Sequence, residues 1–150
     1  ARPHGQTASE SSVVTASAII SGLAKLSLSS LTLTFPDRDP DGVPLIPAAG
    51  GPLTVVAKAR ATPGSPVTLT VEALDDLRSG TDVIPASALS WTTTGSGFVD
   101  GTVRRGAART VASWPNSGVQ TGTQTYRLQN SWTYATGTYT LTLTYTLTAP

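Results

Sequence analysis

The 150-residue chain contains no cysteine and no methionine, and its one histidine is His4. Without cysteine, a disulfide framework, a thiolate metal site and a cysteine nucleophile are all excluded. A Ser-His-Asp triad would have to use His4, which lies in a polar N-terminal stretch where no buried nucleophile is expected beside it. The sequence therefore predicts a protein that is not an enzyme and that uses no cofactor.

Charge and long apolar runs are also scarce. Charged residues make up only 13% of the chain and the formal net charge is +1, whereas a nucleic-acid partner calls for a dense basic surface. No apolar run approaches the roughly 20 residues that span a bilayer, so no membrane span is expected. The chain begins with Ala1 instead of methionine, which is typical of a processed secreted protein, and we expect an extracellular or cell-surface location.

Hydroxyl side chains take the place of charges, with 25 threonines and 16 serines. Threonine suits pleated sheets because its side chain branches at Cβ. Short runs typical of strands alternate with turns rich in glycine and proline, and this spacing predicts an all-β fold, an antiparallel β-sandwich, with a closed barrel as the alternative. The predicted strands are residues 53–61, 66–73, 88–94, 97–104, 109–114, 123–130 and 139–148, and residues 71–80 are expected to run from a strand into a loop.

The N-terminal region carries an unusually long alternation of apolar or small and polar residues, from Val14 to Leu28. Fully extended, its 15 residues would cover roughly 50 Å, but ordinary strands cover about 17–20 Å. We therefore expect the run to break near Gly22 or its first half to leave the domain. The phase of the alternation reverses at Ser29 and Ser30, which predicts a bulge, a kink or a change of strand there.

The C-terminal stretch YATGTYTLTLTYTLTAP resembles the last strand of fimbrial subunits of the chaperone–usher type. The residues that carry the resemblance are Gly137, Tyr139, Leu141, Leu143 and Tyr145. Alternation places the last four on one face, and we expect a central strand in which they form the buried core while the intervening threonines face outward. The stretch from residue 135 to Tyr139 also resembles the tyrosine corner of immunoglobulin-like domains.

The fimbrial resemblance implies an Ig-like sandwich whose N-terminal extension completes the fold of a neighbouring subunit, a form of β-augmentation. The residues in the position of that donor strand are Val14, Ala16, Ala18 and Ile20. It further implies a division into a tail with the donor strand, residues 1–22, and a sandwich domain, residues 23–150. The expected partners are other copies of the chain, and the expected function is that of a structural subunit of an extracellular filament or pilus.

A cell-surface binding module for cell wall or glycan is the alternative function. Tyr145-Thr146-Leu147 stands where WxL cell-wall-binding domains have Trp-x-Leu, so the chain also resembles that family. Stacking of sugars would need exposed tryptophans: we expect Trp91 in the core, and Trp114 and Trp132 partly exposed near loops. In this interpretation the chain is a self-contained monomer and its N-terminal tail is dispensable.

The loop DRDPDG is the one candidate metal site. Asp37, Asp39 and Asp41 followed by Gly42 resemble the opening of a calcium loop, but its twelfth position is Ala48, where a bidentate glutamate is required. The alternative is an acidic turn in which aspartate side chains accept hydrogen bonds from nearby backbone amides. The sequence predicts the turn and no metal.

Overall fold

A computed structural model of the chain describes residues 8–150; His4 lies outside this range. The described residues form two antiparallel sheets packed against each other, with a small hairpin and no α-helix, which confirms the all-β prediction. None of their segments is a helix long and apolar enough to cross a membrane. The elements are β1 (Leu23–Leu28), β2 (Leu45–Pro47), β3 (Leu53–Arg60), β4 (Val67–Ala73), β5 (Leu77–Ser79), β6 (Asp82–Ile84), a 3-10 helix (Ala86–Ala88), β7 (Leu89–Thr94), β8 (Gly101–Thr102), β9 (Arg109–Trp114), β10 (Gly118–Gln129) and β11 (Leu143–Thr148).

The first sheet has the order β1-β3-β10-β7-β8, and β2 pairs with the end of β10. The second sheet has the order β11-β4-β9, and β5 and β6 form a separate hairpin. All these pairs are antiparallel. Because β1 ends one sheet and β11 ends the other, two unpaired edges lie on the same side of the molecule, where β1 and β11 contact each other.

The core forms between the two sheets because their strands alternate strictly. In β4 every second residue from Val67 to Ala73 is buried, and in β3 Val55 and Ala57 are buried beneath them. Burial of side chains of this size is worth about 1.5–3 kcal/mol each for valine and leucine, relative to leaving them in water. The predicted strands 53–61, 66–73 and 109–114 are confirmed within one residue at each end.

The predicted strand 97–104 is wrong except for β8, which has two residues. Gly95 and Gly97 have positive φ angles of 116° and 83°, so the chain turns here instead of extending. The turn lets the Trp114 indole N–H donate to the carbonyl of Ser96, at 2.8 Å. Strand β8 begins only after this turn, at Gly101. The strand predicted at 123–130 corresponds to β10, which begins five residues earlier, at Gly118.

The prediction of a central C-terminal strand is also wrong. Only β11, from Leu143, pairs with β4, and it lies at the edge of its sheet. Thr140 pairs separately with Arg78 of β5, because the bend between β4 and β5 shifts the partner of the C-terminal segment. Because no strand among residues 8–150 pairs with the outer edge of β11, Leu141, Leu143 and Tyr145 are half-buried instead of fully buried. The threonines between them are exposed, as predicted.

The N-terminal alternation breaks where the sequence predicts. Within the described residues, 8–22 form no strand and their side chains are exposed, and β1 begins at Leu23. The strand ends at Leu28, and at the phase reversal the Ser29 N–H donates to the carbonyl of Thr54 at 2.9 Å. The chain then bends and turns Leu33 and Phe35 toward the core in the new phase.

Candidate functional site: a groove between two edge strands

An open, largely apolar groove of about 1140 Å³ lies between the two sheets, and we call it the β1–β11 groove. One wall is the end of β1 and the segment 31–35, and the other is the segment 137–145. Its volume lies slightly above the range for ligand pockets, about 300–1000 Å³. Apolar side chains from the first sheet and the β5–β6 hairpin line its base: Ile46, Leu53, Leu77, Ile84, Leu89 and Leu128.

The wall formed by β11 exposes unpaired backbone groups. The Leu74 N–H donates to the carbonyl of Thr142 at 3.2 Å, which places the backbone groups of even-numbered residues toward β4. The N–H and C=O groups of Leu143, Tyr145 and Leu147 therefore point away from β4, toward the free edge of the sheet. An edge of this kind is a template for pairing with another strand.

The groove has one closed and one open end. At the closed end the Thr62 N–H donates to the carbonyl of Pro150 at 2.7 Å, which ties the end of β11 to the turn between β3 and β4. β1 begins at the same end, since Leu23 pairs with Arg60. At the open end the groove is bordered by residues 37–40 and by Trp132.

A buried hydrogen-bonded group anchors the β11 wall to the opposite sheet. The Tyr145 hydroxyl donates to Oε1 of Gln124, and the hydroxyls of Tyr126 and Tyr145 lie 2.6 Å apart. Gln124 is fully buried and its Nε2 has no partner among the described residues. The sequence analysis missed this glutamine, although it stands between Gly122 and Tyr126 in the buried phase of β10 and could have been found by that alternation.

Burial raises the pKa of Tyr145 to about 12 and raises the pKa of Tyr126 as well. Because the folded pKa lies above the unfolded value of about 10, the hydroxyl contributes stability that is fully present below pH 10 and is lost as the pH rises toward 12. We expect Tyr145 to account for a loss of about 3 kcal/mol in the free energy of unfolding once the pH exceeds 12.

Urea denaturation at a series of pH values measures this loss. The Tyr145→Phe variant should be less stable near neutral pH, because Gln124 loses its donor, and its stability should depend less steeply on pH above 10. An equally steep decline in the variant would contradict the assignment to Tyr145.

Tyr139 fixes the conformation of the chain where the C-terminal segment begins. Its hydroxyl donates to the carbonyl of Ala135, four residues upstream, at 2.7 Å. Gly137 lies between them and packs so closely on Ser79 that a Cβ there would collide with the serine side chain. The bond holds Tyr139 against the groove and fixes where the wall begins.

The structure brings one of the two predicted residue sets to the groove. Tyr139, Leu141, Leu143 and Tyr145 all line it. The predicted donor residues do not touch it: they lie in the extended tail, where Val14 is 88% and Ile20 is 71% exposed. The sequence did not predict that the segment 31–35 lines the groove. This segment lies outside the strands, and no pattern in the sequence shows where such a segment packs.

The acidic loop is held as a turn. Oδ1 of Asp39 accepts the Asp41 N–H at 2.9 Å, and Oδ1 of Asp41 accepts the Trp132 indole N–H at 3.0 Å. The Asn130 amide donates to the carbonyls of Arg38 and Val43, which fastens the loop to the end of β10. Within residues 8–150, no group of three or more histidine, aspartate or glutamate side chains is placed to hold a metal ion.

The three tryptophans differ in exposure. Trp91 is buried, as predicted, and its indole N–H donates to the carbonyl of Val99. Trp114 is only 4% exposed, so the prediction that it is partly exposed is wrong: its ring covers Gly97 and stacks edge-on against Phe98. Trp132 is 70% exposed beside the open end of the groove.

The groove thus combines apolar walls, an unpaired strand edge and one open end, which are the features that an extended peptide requires of its binding site.

The chain matches no family model, no curated protein and no solved structure.

Proposed function

We propose that the protein is a structural subunit of an extracellular filament, and that it polymerises by inserting its N-terminal segment into the groove of a neighbouring copy. The observation that carries the proposal is the open β1–β11 groove beside the unpaired edge of β11. The same chain carries an exposed apolar segment, residues 14–20, that its own sheets leave uncovered. We call this segment the donor segment.

The dimensions of the two parts agree. The donor segment and the stretch 139–145 each have seven residues, which correspond to roughly 23 Å of extended chain. Each presents four apolar side chains on one face. Burying those of Val14, Ala16, Ala18 and Ile20 would contribute about 3–6 kcal/mol, and backbone hydrogen bonds to the free edge of β11 would add to this.

The geometry favours insertion into a neighbour over insertion into the chain's own groove. The tail joins β1 at the closed end, so within one chain it would run parallel to β11 and would need a tight reversal before Leu23. A segment that leaves through the open end of a neighbour's groove runs antiparallel to β11. Antiparallel pairing is slightly more stable per residue and needs no reversal.

Strand exchange of this kind does not produce a closed, symmetric dimer. The donor segment leaves each subunit at the closed end, whereas the groove accepts at the open end, so each contact joins two different surfaces. Repeated head to tail, such a heterologous contact generates a fibre when its rotation does not close a ring. The proposed homopolymer follows from this polarity.

An Ig-like arrangement of the sandwich is part of the proposal. Two packed antiparallel sheets support it, as does the hydrogen bond from Tyr139 to Ala135, which has the form of a tyrosine corner. In this arrangement the donor segment would lie between β11 and β1 and would join the two edges.

Deletion of residues 1–22 tests the proposal, because every strand in the described part of the chain lies within residues 23–148. The deletion variant should form no filaments by negative-stain electron microscopy. It should bind a synthetic peptide of residues 11–22, and the bound peptide should raise its melting temperature by filling the groove.

A deletion variant with an unchanged melting temperature that ignores the peptide, together with a full-length protein that stays monomeric at high concentration, would overturn the filament proposal. Those results would favour the second candidate, a surface module that binds cell wall or glycan. The observation in favour of that candidate is Trp132, whose ring is exposed and held in place by its bond to Asp41. Stacking of sugar rings on fixed aromatic faces would then be the binding mode.

A further inference from the structure

The charges of the domain are unequally divided between its two ends. β1 and β3 carry Lys25, Lys58 and Arg60 near the closed end, and all three side chains are exposed. Lys25 stands directly opposite Lys58, an unfavourable arrangement of like charges. The stretches that run toward the closed end and meet there contain no aspartate or glutamate: 23–28, 53–68, 110–121 and 145–150.

The open end of the groove has the opposite character. The loop 37–41 carries three carboxylates and one guanidinium, and Asp37, Arg38 and Asp39 border the groove directly. The other basic group of the domain, around Arg105, lies beside β8 and β9, at the opposite edges of the two sheets. Part of its charge is already compensated, because Arg105 pairs with Asp75 and Asp76.

We infer that successive subunits recognise each other by charge as well as by strand exchange: the cationic surface of Lys25, Lys58 and Arg60 on one copy docks against the acidic loop 37–41 of the next. This inference rests on the proposed strand exchange, which brings the two surfaces together. A donor segment that ends at Ile20 near the open end places Lys25 five residues later, within roughly 17 Å. Opposite charges at this junction attract the two subunits before the donor segment inserts. They also disfavour docking of two closed ends or two open ends, which would bring like charges together.

Assembly of the full-length chain, followed by light scattering, tests the junction. Raising the salt concentration from 50 to 500 mM should slow elongation by about tenfold, because screening shortens the range of the attraction. The Lys25→Glu variant should elongate about tenfold more slowly than the unchanged protein at 50 mM salt. Adding Asp37→Lys to this variant should restore part of the elongation rate. Arg104→Glu, on the opposite edge of the sheets, is the matched control, and it should elongate as fast as the unchanged protein.

The peptide of residues 11–22 distinguishes strand exchange from charge recognition, because none of its side chains is charged. Added to the full-length protein, it should block assembly equally well at low and high salt. If the peptide blocks assembly but elongation depends on neither salt nor the Lys25→Glu substitution, the charged junction is overturned and strand exchange stands. If the peptide has no effect and the chain does not assemble, the proposed function fails, and the junction fails with it. Equal slowing by Arg104→Glu would show an unspecific effect of net charge and would also overturn the junction.

Discussion

The Ile20→Asp variant is expected to fold normally and to form no filaments. In the single chain Ile20 is 71% exposed in the tail, so the substitution removes no contact that the domain needs. In the filament its side chain would enter the groove, and an aspartate there would have to be buried without a partner, which costs several kcal/mol. A loss of this size reduces the association constant by at least two orders of magnitude.

Ser17→Asp is the matched control, because residue 17 lies on the other face of the extended donor segment. It introduces the same charge into the same tail but leaves it in water, so filaments should still form with a smaller loss. Electron microscopy and light scattering report assembly, and the melting temperature reports the fold. Equal effects of the two substitutions would show that charge in the tail, and not burial of one face, controls assembly.

Gly97→Ala is expected to destabilise the domain by about 2–6 kcal/mol. Gly97 has a φ of 83°, a region that costs a residue with a Cβ roughly 1–3 kcal/mol. A Cβ there would also lie 2.5 Å from Nε1 of Trp114 and 2.6 Å from the carbonyl oxygen of Ser113, and this overpacking costs about 1–3 kcal/mol more. Neither neighbour can yield easily, since Trp114 is buried and Ser113 contributes backbone.

Gly50→Ala separates the two contributions. Gly50 has a similar φ of 86°, but no atom lies within 4 Å of its added Cβ. Its loss should therefore stay near 1–3 kcal/mol, the cost of the backbone conformation alone. Urea denaturation of both variants gives the comparison, and equal losses would contradict the packing argument.

Much of the fold is determined locally and was predictable. The alternation from Val67 to Ala73 and the run 109–114 specify strands, because a face that alternates with period two can be buried only in that conformation. The phase reversal at Ser29 predicted the end of β1, since a strand cannot turn its apolar face over without a break. The exposed N-terminal segment was predictable from its length alone.

The prediction failed where a residue's environment depends on distant partners. Leu141, Leu143 and Tyr145 have the pattern of a central strand, yet β11 lies at an edge, because the pattern reports which side chains face the core and not whether a second strand pairs alongside. Trp114 was expected near the surface because Pro115 and a turn follow it, but Gly97, 17 residues earlier, provides the surface on which its ring is buried.

The sequence by itself thus determined the all-β class, the strand faces, the break after residue 22 and the apolar residues of the donor segment, because each follows from local alternation and turn chemistry. The tertiary structure alone decided that β1 and β11 are the free edges on one side, that the groove between them opens at the end with the acidic loop, and that Gln124 is buried behind Tyr145. The physical reason is that pairing and sheet order depend on contacts between residues far apart in the chain. Leu143 pairs with Ala73 and Leu23 with Arg60, and no local pattern encodes which strand is left without a neighbour.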